Sequence, residues 1–360
     1  MPLKIKIRIS MKLVSILGAS CLTLAALATV TKAATISFST FIPGSSLSAA
    51  VGGTTPIGLA YAGDRFVGSA NYPGGNQLYQ ADLNGGNVQT FAAPLTGFAG
   101  EIFVASSLSS GAYGSNDIFA GAENSGSIVR ISHDGSSQSV FASGLIGGVR
   151  SIAFDPYGLY GNQMIVATSA GYIYKINGAG VATQLAFVGQ DTEGLSFATQ
   201  TFGTYAQGTL FACSEGSGAV HAIDSNGVAT TAFSISGAET ISFVPTNIGQ
   251  SGNPVEGFYG VNYPNNIHKS DASQFVGYAV DAIVTDEYGH GIYDVSYNGT
   301  GFVITNIGYF PAQPEDSIFV TAEAIQQHTS VPDGASTGLL LLGSIGMFGV
   351  LSRRRKSQTN

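Results

Sequence analysis

The chain has 360 residues, of which 44% are hydrophobic and only 10% charged, so it can bury a sizeable core and lacks the composition of a disordered protein. Its formal net charge is −8 and its basic residues gather largely at the two ends, so the acidic middle would be repelled by phosphate backbones, which argues against nucleic acid as a partner. The 49 glycines exceed the usual share of about 7% and predict an all-β fold of short strands and tight turns.

Residues 1–33 are typical of a secretory signal peptide. Four basic residues precede or begin the apolar run 13–30, and residues 31–33 (Thr-Lys-Ala) form a small-x-Ala cleavage site. We therefore predict a signal helix, export through the Sec translocon and cleavage after Ala33. Met11 is an alternative start, because the chain from Met11 onward already contains a complete signal. A lipoprotein signal ending at Cys21 is the less favoured alternative, since the apolar run continues past that cysteine.

The middle of the chain contains an internal repeat. A phrase of alternating apolar residues closed by a Gly, Asp or Asn turn predicts a strand of a β-hairpin, and it occurs six times. The first five copies are about 45 to 50 residues apart, whereas the last follows its predecessor by only about 25 residues. The six copies lie at 76–83, 126–135, 171–178, 218–227, 266–271 and 291–299.

Most copies are accompanied by three further short strand patterns, so each unit contains four strands. One apolar strand lies well upstream of the repeat phrase (for example 151–154), another lies directly before it (163–167), and a third follows it (139–142). Four strands in about 45 residues are typical of one blade of a β-propeller. We predict a propeller over residues 34–325 with six blades, seven being the alternative, and with a compressed sixth unit in 281–309.

Two candidate strands can close the propeller, at 36–38 and at 318–320. The blade phrases resemble the six-bladed propellers of the NHL and gluconolactonase kind at the level of pattern. An all-β sandwich is the less favoured fold.

In a propeller, the residue that leads each inner strand faces the channel mouth. Counting back from each inner strand gives Glu101, Arg150, Glu193, Glu239 and the pair Glu315-Asp316, with Asp191 nearby. Carboxylates that converge can hold Ca²⁺, which takes six to eight oxygen ligands, or another divalent ion. The candidate metal residues are Glu101, Glu193, Glu239 and Asp316; alternatively, these acids meet solvent or pair with Arg150. No other cofactor is predicted.

No catalytic set emerges from the sequence. The histidines are not at zinc-ligand spacing, and no Gly-x-Ser-x-Gly nucleophile motif is present. Cys213 lies within a predicted strand, where a structural thiol is expected, and it would be the one cysteine of the mature chain. The histidines considered are His133, His221, His268 and His290.

The C-terminal segment 326–360 has three parts in a fixed order. A short motif at 331–337 precedes an apolar stretch at 338–351 and a basic tail at 353–356. A helix from Ala335 to Leu351 would reach roughly 25 Å, slightly short of the about 30 Å of the hydrocarbon core. The positive-inside rule keeps the basic tail in the cytoplasm and places the preceding domain across the membrane. The stop-transfer residues are Arg353, Arg354 and Arg355.

This segment resembles the PEP-CTERM sorting domain, in the variant that opens with Val-Pro-Asp. The resemblance implies recognition by an exosortase, a membrane peptidase of Gram-negative bacteria, and transfer to the envelope or extracellular matrix. Gly334-Ala335 departs from the more usual Gly-Gly or Ser-Gly, which leaves the processing subtype open, and a plain membrane anchor is the alternative. The residues that match the motif are Val331, Pro332, Asp333, Ser336 and Thr337.

Two functions follow from the sequence. The first is an exported, exosortase-sorted protein of the cell surface or extracellular matrix, transiently anchored in the inner membrane, whose propeller binds a polysaccharide or surface protein. The second is an exported metal-dependent hydrolase of the lactonase or esterase type that uses the acidic channel mouth. The absence of a catalytic constellation from the sequence favours the first.

Overall fold

The protein is a six-bladed β-propeller, as predicted, in a computed structural model that describes residues 32, 35–107 and 111–329. Its 24 described strands form six antiparallel four-stranded sheets. The innermost strands of successive sheets contact one another in a closed ring around a central channel. The predicted transmembrane helix 338–351 and the signal helix 1–33, except Lys32, lie outside the described residues. No helix in the described part of the chain is long and apolar enough to cross a membrane.

The first four blades are continuous in sequence and follow the strand β1 (Ser39–Ile42) and the helix α1 (Gly44–Val51). Blade 1 contains β2 (Leu59–Tyr61), β3 (Arg65–Ser69), β4 (Leu78–Asp82) and β5 (Gln89–Phe91). Blade 2 contains β6 (Ile102–Ser106), β7 (Ile118–Ala122), β8 (Ser125–Ile131) and β9 (Gln138–Ala142), with a 3₁₀ helix at Gly111–Tyr113. Blade 3 contains β10 (Val149–Phe154), β11 (Met164–Thr168), β12 (Tyr172–Ile176) and β13 (Ala182–Phe187). Blade 4 contains β14 (Glu193–Phe197), β15 (Leu210–Ser214), β16 (Ala219–Ile223) and β17 (Ala229–Ser234).

The last two blades are interleaved in sequence. Blade 5 contains β18 (Ala238–Phe243), β21 (Ala282–Asp286), β22 (Gly291–Tyr297) and β23 (Phe302–Tyr309). Between its first and second strands the chain forms the hairpin β19 (Gly257–Tyr263) and β20 (Asn266–Asp271), then a 3₁₀ helix at Ala272–Tyr278. That hairpin pairs with β24 (Gln313–Val320) and belongs to blade 6. The helix α2 (Ala322–Thr329) follows β24.

This interleaving corrects the predicted assignment of the last two units. The hairpin copy at 266–271 was expected to complete the fifth unit, and 281–309 was expected to be a compressed sixth. All six repeat phrases are indeed the third strands of six different blades, but the last two belong to their blades in the opposite order. The spacing of about 25 residues between them is short because no inner strand lies between them in sequence.

Of the two candidate closing segments, 318–320 lies in blade 6, whereas 36–38 precedes the blade 6 strand β1 and is not part of it. Residues 318–320 lie in the innermost strand of this blade, β24, while β1, which follows directly after 36–38, is its outermost strand and pairs with β20. Residue 36 itself donates a backbone hydrogen bond from its N–H to the carbonyl of Ile307 in blade 5, at 2.6 Å. Strands from both ends of the domain therefore complete one sheet, which joins the last blade to the start of the chain.

Neighbouring blades are held together by apolar packing and by buried tyrosines. Tyr113, between the first two strands of blade 2, donates its hydroxyl to the carbonyl of Ile176 and accepts from the Met164 N–H in blade 3. Tyr160 makes the equivalent pair of bonds to Ile223 and Leu210 in the next blade. Each bond satisfies a strand-end backbone group that packing would otherwise bury unpaired.

Cys213 is fully buried and forms no disulfide within the described part of the chain, and burial raises the pKa of its thiol, as expected for a structural cysteine.

Candidate ligand-binding site at the channel mouth

The mouth of the channel is lined by acidic residues from two structural positions. The first is the start of the inner strand, which supplies an acid in four of the six blades: Glu101, Glu193, Glu239 and Glu315. The second is the turn between the second and third strands of a blade. The turn residues are Glu123, Glu215 and Glu287, and Asp191 precedes β14.

Local irregularities in the inner strands turn these side chains toward the mouth. The register between β10 and β11 shifts at Arg150. The register between β18 and β21 shifts between Ala238 and Ile241, a segment that contains Glu239. The pairings of β14 and β24 contain shifts beside Glu193 and Glu315. A β-bulge redirects a side chain and increases the local twist of its strand. Register shifts of this kind therefore occur in four of the six inner strands.

A glycine brings two of the acidic residues together. Gly194 follows Glu193 and has a φ of +50°. A Cβ at this position would lie 2.7 Å from the Cα of Thr240 and would also collide with the carbonyl oxygen of Glu239. Because glycine has no side chain and tolerates positive φ, β14 and β18 can approach closely at this point. Their leading glutamates consequently meet side by side.

Arg150 neutralises one half of the mouth. Its guanidinium contacts the carboxylates of Glu101 and Glu193, and lies 3.3 Å from those of Glu123 and Asp191. It also lies over the ring of Phe103, 5.8 Å from the ring centroid. Three of the acids named from the sequence therefore pair with Arg150, namely Glu101, Asp191 and Glu193, and two of them belong to the candidate metal set. Glu123, the fourth partner, was not named from the sequence.

The other half of the mouth holds carboxyl groups that contact one another. Glu239 is 2% exposed and hydrogen-bonds to the Glu193 carboxyl, and Glu215 hydrogen-bonds to Glu287. Gln313 donates its amide to Glu287 and, at 2.8 Å, to Glu315. Among the described residues, no lysine or arginine forms an ion pair with these four groups. The four are Glu215, Glu239, Glu287 and Glu315.

Burial and mutual repulsion make several of these groups retain protons. Burial raises the pKa of Glu239, and the charge of Glu193 raises it further. Burial and the contact with Glu215 raise the pKa of Glu287 to about 8, and burial with the charge of Glu193 raises that of Glu315 to about 8. In Glu215, hydrogen bonds from Glu287 and Tyr288 outweigh the effect of burial, so its pKa is lowered. Near neutral pH, protons retained by these carboxyl groups therefore reduce the negative charge of this half of the mouth, as Arg150 does in the other half.

Only part of the candidate metal set comes together. Glu193 and Glu239 each place a carboxylate oxygen within 4.8 Å of the other and of Glu215, a spacing that can hold a metal ion. Glu101 is instead engaged by Arg150. The fourth residue, Asp316, lies one position deeper and accepts hydrogen bonds from the backbone N–H groups of Leu59, at 2.9 Å, and of residue 317, at 2.8 Å.

Glu123, Glu215 and Glu287 were not among the site residues predicted from the sequence, although a signal was present. Glu123, Glu215 and Glu287 each precede by five residues an apolar residue of the third strand, namely 128, 220 and 292. In three blades, this position of the repeat therefore places a glutamate in the turn that faces the mouth.

Directly below the acidic residues lies a cavity of about 260 Å³ in the channel. In four inner strands, the residue that follows the mouth residue lines it: Ser151, Gly194, Thr240 and Asp316. Its remaining walls are largely apolar, and Ala324 of α2 lines its far end. The apolar lining residues include Phe103, Ala105, Ile152, Leu195, Ile241 and Ile318.

Other candidate residues lie away from this site. His221 and His268 occupy equivalent third strands of blades 4 and 6, and burial lowers the pKa of each imidazole. His133 lies 3.3 Å from Asp64 on the outside of blades 1 and 2. The sorting residues 331–337 and the basic residues 353–355 lie outside the described part of the chain.

No family model and no curated protein matches this sequence. Among solved structures, the chain is similar to a streptogramin B lyase, with 11% identity, a TM-score of 0.47 and coverage of 77% of this chain and 74% of the lyase chain. It is also similar to a chain of a nidogen/laminin complex, with 13% identity, a TM-score of 0.34 and coverage of 48% of this chain and 77% of that chain.

Proposed function

We propose that this chain is an exported, exosortase-sorted protein of the cell surface or extracellular matrix, and that its propeller is a binding platform whose ligand sits at the acidic channel mouth. The observation that carries the binding function is the group of four carboxyl residues that form no ion pair with a lysine or arginine of the described chain, above a cavity whose lining side chains are mostly apolar. Burying carboxyl groups against one another is unfavourable, and a ligand that supplies positive charge relieves that cost.

The direction in which the chain leaves the propeller suits surface display. Glu315 lies at the mouth, near the start of β24, whereas α2 follows the end of that strand and lines the opposite end of the cavity. The chain enters the predicted sorting segment from α2. A protein held by that segment would therefore present the acidic mouth away from the membrane, where an extracellular polysaccharide or surface protein can reach it.

The export and sorting part of the proposal is tested by the intact mass of the protein from the producing organism, measured separately in membrane and extracellular fractions. Loss of residues 1–33 and of everything beyond about Val331 is expected. An intact C-terminal segment found only in membranes would instead identify a simple anchor and contradict sorting by an exosortase.

A second candidate function is a metal-dependent lactonase or esterase. It is favoured by the three carboxylates of Glu193, Glu215 and Glu239, whose oxygens lie within 4.8 Å of one another. A bound divalent ion at this place would polarise a substrate carbonyl. This function predicts that Ca²⁺ raises the melting temperature and that simple lactones are hydrolysed. Hydrolysis should disappear on chelation and in Glu193→Gln but persist in Glu123→Gln, and a calcium titration without a thermal shift would rule the metal site out.

A further inference from the structure

We propose that the channel mouth binds a primary ammonium group carried on a short apolar chain, with the ammonium among Glu215, Glu239 and Glu287 and the chain in the cavity below. This inference rests on the proposed binding function and names its ligand class. The ligand is either a free amine or the lysine side chain of a polypeptide, since both present the same chemistry.

The Arg150 half of the mouth demonstrates the kind of group that this ring of acids accepts. There, an organic cation contacts four carboxylates while its flat face lies over Phe103, a residue that also lines the cavity. Carboxylates and an aromatic face together favour an organic cation with an apolar body. The opposite half has equivalent carboxyl groups and shares the cavity, but contains no such cation among the described residues.

Glu239 is the most deeply buried of the four carboxyl groups in this half, and it contacts another acid. It is 2% exposed, and within the described residues its hydrogen-bonding contact is with the carboxyl of Glu193. Buried carboxylates are normally stabilised by N–H or hydroxyl donors or by a cation. An ammonium group has three donors, which matches the three carboxyl groups that surround this position.

The cavity explains why the cation should carry an apolar chain. Its volume of about 260 Å³ is just below the range of about 300–1,000 Å³ that is usual for drug-sized ligands, so a small molecule fits. Its polar lining groups are already hydrogen-bonded: Thr240 to Thr285 at 2.9 Å, and Ser151 to the backbone N–H of Leu195 at 3.2 Å. A hydrated metal ion would leave this apolar space unused, whereas an alkyl chain below the ammonium would fill it.

The test is calorimetric titration of the full chain in nanodiscs of neutral lipid at pH 7.5, with n-pentylamine as the probe. Its controls are 1-pentanol, which lacks the charge, and methylamine, which lacks the chain. We expect pentylamine to bind at least tenfold more tightly than either. An acetylated and amidated Gly-Lys-Gly peptide forms a second arm: tighter binding of the peptide identifies a polypeptide lysine as the source, and weaker binding identifies a free amine.

Variants locate the site. Glu239→Gln should weaken pentylamine binding at least tenfold, and Glu215→Gln serves the same purpose if the first variant unfolds. The matched control is Asp117→Asn, which removes an acid that pairs with Arg130 away from the mouth and should change the affinity less than twofold. Ala105→Leu narrows the cavity and should weaken pentylamine binding while leaving methylamine binding unchanged. Thermal unfolding of each variant checks that the propeller is intact.

Pentylamine binding no tighter than that of pentanol, or binding unaffected by both Glu239→Gln and Glu215→Gln, would overturn the inference. A calcium titration separates this failure from failure of the proposed function. If Ca²⁺ binds in a Glu239-dependent way and pentylamine does not, the binding platform stands and the ligand class is wrong. If neither binds, both proposals fail.

Discussion

The two halves of the channel mouth carry the same kind of side chain but differ in what compensates its charge. Around Arg150, four carboxylates share one guanidinium. Across the channel, carboxyl groups of blades 4, 5 and 6 contact one another, and the described donors to them are a glutamine amide and a tyrosine hydroxyl. The difference arises at one position of the repeat. The inner strand of blade 3 carries Arg150 there, whereas the inner strands of blades 4 and 5 carry glutamates, so only one half of the mouth contains a cation.

The largest effect is expected from removing the cation. Arg150→Met leaves four carboxylates without their shared partner, so we expect the free energy of unfolding to fall by about 3–5 kcal/mol in urea at pH 7.5. Arg130→Met is the matched control, because Arg130 pairs with Asp117 at a partly exposed position, with its side chain 34% exposed, and should cost about 1 kcal/mol or less. Equal losses in the two variants would contradict the assigned role of Arg150.

The uncompensated half should make stability depend on pH. The pKa values of Glu287 and Glu315 are raised from 4.5 to about 8, so the folded protein binds more protons than the unfolded chain between these values. The contribution of these two carboxyl groups to the free energy of unfolding is therefore fully present below pH 4.5 and is lost as pH rises toward 8. We expect the free energy of unfolding to fall by about 2–4 kcal/mol from pH 5 to pH 8 in chelated, amine-free buffer.

Urea titrations at intervals of one pH unit measure this trend, and Glu315→Gln should reduce its slope. A stability that rises across the same range would show that these carboxyl groups are ionised and compensated in the folded state.

A smaller effect is expected from neutralising one acid in each half. Glu239→Gln removes a buried acid whose raised pKa makes folding less favourable as pH rises above the ordinary value of a glutamate, so we expect it to stabilise the fold by about 1–2 kcal/mol at pH 8 and to have little effect at pH 5. Glu123→Gln removes an acid that lies 3.3 Å from Arg150 and should not stabilise at either pH. The comparison is made by thermal and urea unfolding, and stabilisation by both variants would mean that the two halves are equivalent.

The smallest effect is expected at the rim. Tyr288 is 61% exposed and donates its hydroxyl to Glu215. Tyr288→Phe should change the free energy of unfolding by about 0.5 kcal/mol or less, as an exposed hydrogen bond would. It should nevertheless raise the pKa of Glu215, which this hydroxyl helps to lower. Carboxyl ¹³C NMR titration measures that shift, and an unchanged pKa would remove Tyr288 from the site.

The sequence predicted the units of the propeller well because strand pattern is a local property. Alternation and turn residues identified all six third strands, and five inner strands were placed by their apolar phrases. The order of the last two blades could not be read in the same way. A hairpin such as 257–271 has the same local pattern whichever inner strand it pairs with. The segment 244–256, which separates β18 from this hairpin, is also similar in length to the loop 198–209 between the first two strands of blade 4.

For the site, the sequence alone determined that acids lead several inner strands, because a leading position follows from the repeat. Glu193, Glu239 and Arg150 were identified from the sequence in this way, because each leads an inner strand. Only the tertiary structure decided which acids meet. That outcome depends on bulges, on the close approach at Gly194 and on turns from other strands, which bring Glu215 to its partners across more than 20 residues of chain. Strand identity is set by neighbours in sequence, whereas charge compensation is set by neighbours in space.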